Sequence, residues 1–348
     1  MSKEDVKKIE SYVEKYSPYI SVILIAHVQA PRGHLNNNQI QCDATERFSV
    51  EEFHEIYQGI VSAGFYIQSV YFNELDFISD YIEHSNRFTN CLVYNLARNG
   101  LGDNKKTIIP AFCELNNIPY TTSASLTCAL CRNKYYFSTL LQAHNVPVPQ
   151  SWFLSNSGKW AYDAPKEGVT VICKPSSESA SQGITDNSIF TASDSNFKAL
   201  KSENYIVQSY IEGEECEVPV FKYNNSVHVL PPIGIDLKGK HILDEDTSEK
   251  YNYEFYLLKN TQSSQIISRI KKYAEQTFNL LQMDVYGRVD FRIDRNGNPY
   301  VFDISTTPYT TLYSSVSFAF KELGYTYSDI YKAIIICAIQ KYYQKDKN

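Results

Sequence analysis

A chain of 348 residues with 43% hydrophobic and 21% charged residues can bury a sizeable core, and at about 150 residues per domain it divides into two or three packed units. A net charge of −6 argues against a nucleic-acid partner, because affinity for phosphate backbones needs clustered Lys and Arg. The charged N-terminus MSKEDVKKIESYVEKY lacks a signal-peptide apolar core, and no apolar run approaches the roughly 20 residues of a membrane span, so a cytoplasmic protein of small-molecule chemistry is expected.

In chain order, PYISVILIAHV (18–28) reads as a buried strand, SVEEFHEIYQGIVSAG (49–64) as a helix stopped by Gly64, and CLVYNLA (91–97) as a second strand. A helix from Lys105 to Asn116 follows, then a short strand IPYTTS (118–123) and a helix from about Ser123 to Asn145. This alternation implies an α/β unit with a parallel sheet. NVPVPQSWFL (145–154) is an extended crossing. From Val169 the pattern turns to strands with polar turns: VTVICKP, YIVQSYIEG (205–213), CEVPVF (216–221) and a hairpin at 287–305, with helices at 263–282 and 325–344. The expected units are 1–120, 121–207 and 208–348. The polar loop 236–252 is long enough to suggest mobility or ligand contact.

The eight cysteines, at 42, 91, 113, 128, 131, 173, 216 and 337, fit reduced thiols in apolar stretches. Cys128 and Cys131 alone have metal-like spacing; without a second pair, helix packing and a zinc or redox role both stand. His27 and His54 lie in or beside apolar segments and read as structural histidines or as catalytic bases. Arg32 and His34 follow a strand end, where ligands approach α/β sheets.

GRVDFRIDRNGNPYVFDIS (287–305) has alternating runs around Asn296-Gly297, a strong hairpin signal. With Arg295 facing Asn298, Asp290 lies opposite Asp303 and Arg288 opposite Ser305. Like charges across a ladder destabilise a sheet unless a cation sits between them, so the pair suggests a hard-metal site such as Mg²⁺; a solvated outer face is the alternative. No GxxxxGK[ST] or complete GxGxxG occurs. VTVICKPSSESASQG (169–183) ends an apolar strand at Lys174 and continues into a Ser-rich loop whose donors can surround phosphate oxygens, or which serves only as a flexible linker.

From about Asn99 to Ser315 these segments resemble, in order, the D-alanine–D-alanine ligase branch of the ATP-grasp superfamily. KPSSESASQGI resembles its phosphate loop, IVQSYIEGEE its adenine hinge and ribose acid, EKY (249–251) its mobile loop and GRVDFRIDRNGNPYVFDISTTP its metal strand pair. The resemblance implies an α/β and α+β architecture, an ATP-grasp fold behind an N-terminal Rossmann-like domain. It implies that Lys134, Lys174 and Ser181 meet ATP phosphates, that Gln208, Ser209, Tyr210 and Ile211 line the adenine, and that Glu215 accepts from the ribose. Lys250 would reach the γ-phosphate with Tyr251 nearby, Arg288 would stabilise an oxyanion, and Ser314 would bind the carboxylate of the second substrate. Asp290, Asp303 and Ser305 would hold one or two Mg²⁺ ions, or Mn²⁺. The implied partners are a small-molecule carboxylate and an amine, with no nucleic acid or membrane, in a homodimer.

Three departures shape the functional expectation. The family's usual Glu-x-Asn is Asp303-Ile304-Ser305 here, Tyr309 replaces a Gly, and 26–39 lacks the Gly-rich, Glu-containing element for the first D-alanine. The expected activity is therefore an ADP-forming carboxylate–amine ligation through an acyl phosphate, on amino-acid-like substrates other than a D-alanine pair. ATP binding with little catalysis, or a phosphotransferase on the same site, are the alternatives.

Overall fold

Val22, Ile23, Leu24 and Ile25 are all fully buried, which a strand achieves only when both its faces are covered. They lie on β1 (Ser21–Ala26), the middle strand of a parallel three-stranded sheet, with β2 (Ile67–Tyr71) and β3 (Cys91–Leu96) on either side. In the computed structural model, which describes residues 1, 3–29, 46–100, 102–200 and 203–343, this sheet is flanked by α1 (Lys3–Tyr16), α2 (Val50–Ser62), α3 (Glu74–His84) and α4 (Ile108–Asn116). Ser49 and Glu52 close a capping box at the start of α2. The strand expected at 118–123 contributes one bridge, Tyr120 to Val93.

The single helix expected over 123–145 is two, α5 (Ser125–Arg132) and α6 (Lys134–Ala143). Asn133 ends the first with extended backbone (φ −85°, ψ 103°) and caps the second, its Oδ1 accepting from the N–H groups of Tyr135 and Tyr136. The break makes Lys134 the first residue of a helix and buries its side chain.

A four-stranded antiparallel sheet follows, from β4 (Ser151–Leu154), β5 (Thr170–Pro175), β6 (Ile189–Thr191) and β7 (Tyr205–Ser209), in the order β4-β7-β5-β6, with the short α7 (Asp194–Lys198). The larger antiparallel sheet holds β8 (Gly213–Tyr223), β9 (Ser226–Val229), β10 (Ile233–Asp236), β11 (Glu254–Leu257), β12 (Tyr286–Asp294) and β13 (Pro299–Ser305), ordered β11-β10-β8-β12-β13 with β9 also on β8. Inside the 236–252 loop sits α8 (Glu245–Glu249); α9 (Ser264–Leu280), α10 (Ser315–Glu322) and α11 (Tyr327–Tyr343) complete the chain. The apolar face of α11, Ile334 to Ile336 and Ala338, shares one core with Val22, Leu24 and Ile60, so the C-terminal helix packs on the first sheet. No helix among the described residues is long and apolar enough to cross a membrane.

The hairpin β12–β13 reaches the expected pairing by an unexpected path. Its turn has three residues, not two: Asp294 N–H donates to Asn298 O (3.0 Å), Gly297 N–H donates to Asp294 O (2.9 Å), and Gly297 alone in the turn has positive φ (+77°). Near the turn Ile293 therefore pairs with Pro299 and Phe291 with Val301. A β-bulge at Phe302 then adds one residue to β13 and restores Asp290 opposite Asp303 and Arg288 opposite Ser305. The bulge reverses the alternation: Val301 and Ile304 both enter the core, while Phe302, Asp303 and Ser305 all line the cavity on the other face.

Candidate active site

The face of the large sheet opposite its core carries three carboxylates in one row. Glu217 on β8 pairs with Asp290 on β12, which pairs with Asp303 on β13. Arg288 is inserted among them: its Nε and Nη2 each lie 2.8 Å from an Asp290 oxygen, and its Nη1 lies 3.0 Å from Glu217 Oε2. Burial opposes the charge on Arg288, but Asp290 and Glu217 outweigh it and raise its pKa. Burial pushes the Asp290 carboxyl up, against the pull of Arg288. Among the described residues no three His, Cys, Asp or Glu side chains converge tightly enough to hold a metal by themselves. Asp290, Asp303 and Ser305 nevertheless line one cavity with oxygen donors only, which suits a hard divalent cation.

Lys174, at the end of β5, has its Nζ 4.7 Å from the centre of the Phe302 ring. Burial, with Lys134 adding to it and Asp303 opposing, lowers its pKa to about 8. Lys134 sends its Nζ to Glu178 O and to 3.5 Å from Asp303 Oδ1. The loop after β5 is anchored: Glu178 meets Lys105 (2.5 Å) and Arg132 (3.1 Å), and Ser179 bonds Arg132 and donates to Glu46 (2.6 Å). Ala180 and Ser181 both take left-handed backbone (φ +54° and +57°), a conformation that costs a residue with Cβ about 1–2 kcal/mol.

A narrow pocket of about 60 Å³ lies between the two antiparallel sheets, lined by Lys174, Ser181, Gln208, Ser209, Tyr210 and Ile211 among others. Gln208 donates to Ser151 (3.0 Å), while its Oε1 is buried without a hydrogen-bond partner. The N–H groups of Ser209 and Tyr210 are already bonded to Gln150 O and Thr170 O, so they fix the strand rather than face a ligand. Glu215 receives Arg292 Nη1 (3.0 Å), and Arg292 also donates to the carbonyls of Ile211, Gly213 and His241. Burial raises the Glu215 pKa, countered by Arg292 and Lys174.

This pocket opens into a wide cavity of about 560 Å³ at which the first and third sheets meet; Lys134, Glu215, Phe302 and Asp303 border both. Arg288, Tyr251 and Ser314 line the cavity. Lys250 is not among its lining residues; its Nζ is on Asp246 (2.5 Å) and its side chain is 68% exposed. Ser314 is the N-cap of α10, its hydroxyl accepting from Ser317 N–H and donating to Thr311 O (2.8 Å). Tyr251 has positive φ (+50°) and donates its hydroxyl to Glu52, which ties the 236–252 loop to α2.

Several residues of this site escaped the sequence reading. Glu46 is fully buried against Arg132 (2.8 Å); burial alone would raise its pKa, but Lys106, Arg132 and Arg98 hold it well below the usual carboxylate range. No local pattern marks Glu46. Glu217 and Arg292 did have a signal, the two-residue alternation that puts them on the face of Glu215, Asp290 and Arg288. Arg98 packs its guanidinium on the rings of Phe48 (4.7 Å) and Tyr309 (4.5 Å), which also touch each other edge-on. His27 takes the structural role: it accepts from Arg98 N–H (2.9 Å) and meets Glu74 (3.1 Å). His54 is exposed on α2, and Arg32 and His34 lie outside the described residues. The seven cysteines within the described residues, Cys128 and Cys131 included, are free and buried.

Residues 140–336 match the model of the family described as D-ala D-ala ligase C-terminus. The chain is 28% identical over 262 residues to an uncharacterized protein, y4sG, of Sinorhizobium fredii, covering 73% of this chain and 76% of that one. It is 27% identical over 240 residues to D-alanine–D-alanine ligase B of Clostridium perfringens, covering 67% and 76%. The fold superposes on the crystal structure of D-alanine–D-alanine ligase from Bacillus anthracis complexed with ATP, with a TM-score of 0.68 at 18% identity, over 93% of this chain and 99% of that one. The corresponding enzyme of Coxiella burnetii gives a TM-score of 0.67 at 17% identity, over 94% and 97%.

Proposed function

We propose that this chain, which belongs to the D-ala D-ala ligase C-terminus family, is an ATP-dependent carboxylate–amine ligase that works through an acyl phosphate on amino-acid-like substrates and releases ADP and phosphate. The observation that carries this reading is the junction of the narrow pocket with the wide cavity: Lys174 lies on one side, Arg288 and Asp290 on the other, and Lys134 and Asp303 border both. The division into units at about 120 and 207 is part of the proposal, with the nucleotide between the second and third and the substrates against the first.

In this reading the purine occupies the narrow pocket, where the unpaired Oε1 of Gln208 suits an exocyclic amino group. Glu215, held by Arg292, accepts from the ribose hydroxyls. The charges of Lys134 and Lys174 and the donors of the Ser181 loop surround the phosphates. Asp290, Asp303 and Ser305 would hold Mg²⁺ or Mn²⁺, which when bound offsets charge on the transferring phosphoryl group. The substrate carboxylate attacks the γ-phosphorus and ADP leaves; the amine, in its neutral form, then attacks the carbonyl carbon, phosphate departs with the electrons of the carbon–oxygen bond, and the nitrogen gives up a proton. Arg288 stabilises the tetrahedral oxyanion, a contribution of roughly 3 kcal/mol per donor. The latch between Tyr251 and Glu52 excludes water that would hydrolyse the acyl phosphate, Lys250 turns inward from Asp246 toward the γ-phosphate, and Ser314 keeps the α10 N-terminus beside the second substrate's carboxylate.

The test is phosphate release across paired amino acids and amines with Mg²⁺, read together with product mass. Amine-dependent release, abolished by Lys174→Ala and by Asp290→Ala, is the expected result. ADP formation that ignores every amine offered would sink the ligase reading.

A further inference from the structure

The mechanism above leaves Glu217 without a task. Its side chain is more than nine-tenths buried, yet it borders the wide cavity, and although Arg288 Nη1 stands 3.0 Å away, no hydrogen bond of ordinary geometry reaches Oε2. One guanidinium is shared there between two carboxylates, Asp290 and Glu217, which leaves that end of the row one positive charge short. Beside it stands an aromatic wall. Tyr253, Phe255 and Tyr313 pack on each other with ring centres 5.3 to 5.6 Å apart, all three line the same cavity, and the Tyr313 hydroxyl donates to Tyr253 O. Burial raises the Tyr253 phenol, with the charge of Glu217 adding to the effect and Arg288 opposing it, and Tyr253 and Glu217 border the same cavity.

A buried carboxylate attracts one cation, and aromatic faces favour the same charge while offering area to an apolar group. The proposed metal ions belong to the other end of the row, at Asp290, Asp303 and Ser305, which leaves the Glu217 end for a monocation. Resting on the ligase reading for which substrate enters here, the geometry points to the amine subsite: Glu217 receives the ammonium group, and the Tyr253, Phe255 and Tyr313 wall selects a primary amine with an aromatic or large apolar substituent. Glu217 is thus a specificity-determining residue, and the amine substrate resembles phenylalanine or tyrosine more than alanine.

The test is equilibrium binding by calorimetry on the full chain with Mg²⁺ and a non-hydrolysable ATP analogue, which needs no turnover. The probes are phenylalanine and tyrosine in both enantiomers, 2-phenylethylamine, alanine in both enantiomers, and 3-phenylpropionate, which lacks the ammonium group. The expected result is that at least one aromatic amine binds ten-fold or more tighter than alanine and than 3-phenylpropionate. Glu217→Gln, nearly isosteric, weakens that amine ten-fold or more while nucleotide affinity stays within two-fold. Tyr313→Ala, at a partly exposed ring, brings the aromatic amine within about three-fold of alanine while nucleotide affinity stays within two-fold. Alanine binding as tightly as every aromatic probe, 3-phenylpropionate matching the amines, or Glu217→Gln binding them unchanged each overturns the inference. Amine-dependent phosphate release with small amines alone would refute this subsite and keep the ligase reading; aromatic-amine binding without any amine-dependent turnover would do the reverse.

Discussion

Replacing Lys174 by methionine should make the unliganded protein more stable and unable to respond to ATP. The Lys174 pKa falls from 10.5 to about 8 because its ammonium group is buried, which corresponds to about 3 kcal/mol of destabilisation at neutral pH. Methionine keeps the unbranched stem and removes the charge. Against the gain stands the lost contact with the Phe302 ring, worth about 1 kcal/mol, so the net stabilisation is about 2 kcal/mol, or roughly 2–4 °C in melting temperature. The sign with pH follows from the lowered value. Below pH 8 both folded and unfolded Lys174 are charged and the full penalty applies; between pH 8 and 10.5 the unfolded chain holds the proton while the fold does not, so wild type gains stability with rising pH and the variant's advantage shrinks. Thermal unfolding from pH 6.5 to 10, with and without Mg²⁺ and ATP, reads all of this. A variant less stable than wild type at pH 7, an advantage unchanged to pH 10, or a variant still stabilised by ATP would refute the reasoning.

Glu46 supplies an acid-side counterpart. Its folded pKa is depressed, so its stabilisation is present above the unfolded value of 4.5 and is lost as pH falls below it; Glu46→Gln should therefore show a shallower acid denaturation, followed by circular dichroism. Arg132→Met removes one of three cations around that carboxylate and a partner of Glu178, and should cost about 1–3 kcal/mol in urea unfolding. Deleting Phe302 removes the extra residue but leaves Val301 opposite Phe291 and Asp303 opposite Asp290, so Mg²⁺-dependent phosphate release should survive in part, weakened by loss of the ring beside Lys174, and Phe302→Leu should retain more of it. Asn133→Ala removes the cap shared by two backbone donors and should lower stability by about 1–2 kcal/mol and raise the KM for ATP by displacing Lys134.

The strands and helices with strong periodicity were legible in the sequence: β1, α2, α9 and the two halves of the hairpin stand close to where alternation or a helical repeat puts them. The pairing of Asp290 with Asp303 was legible for an incomplete reason. The two-residue turn assumed from Asn296-Gly297 is a three-residue turn, and the bulge at Phe302 compensates for the difference. Bulges answer to packing on a neighbouring element, here Lys174 above Phe302, and that is not a local property. The break at Asn133 was hidden because residues on both sides favour helix, and its one local signal, an Asn able to cap the helix that follows, also occurs inside helices. Glu46 and Arg98 are placed by contacts 50 or more residues away in sequence, beyond any spacing argument. Lys250 marks the opposite limit, since a short EKY resemblance names the residue but does not orient a side chain that here rests on Asp246.

The Phe302 bulge also bears on recombination between this chain and its relatives. It sets the parity of β13, so a chimera that crosses over between Asn298 and Val301 must keep the residue count of that stretch, because a one-residue change there would invert Asp303 and Ser305 into the core. Crossovers at the tip itself, between Asp294 and Asn298, preserve both faces provided that the number of turn residues stays at three. The tip is thus interchangeable as a unit, and the strand behind it is not.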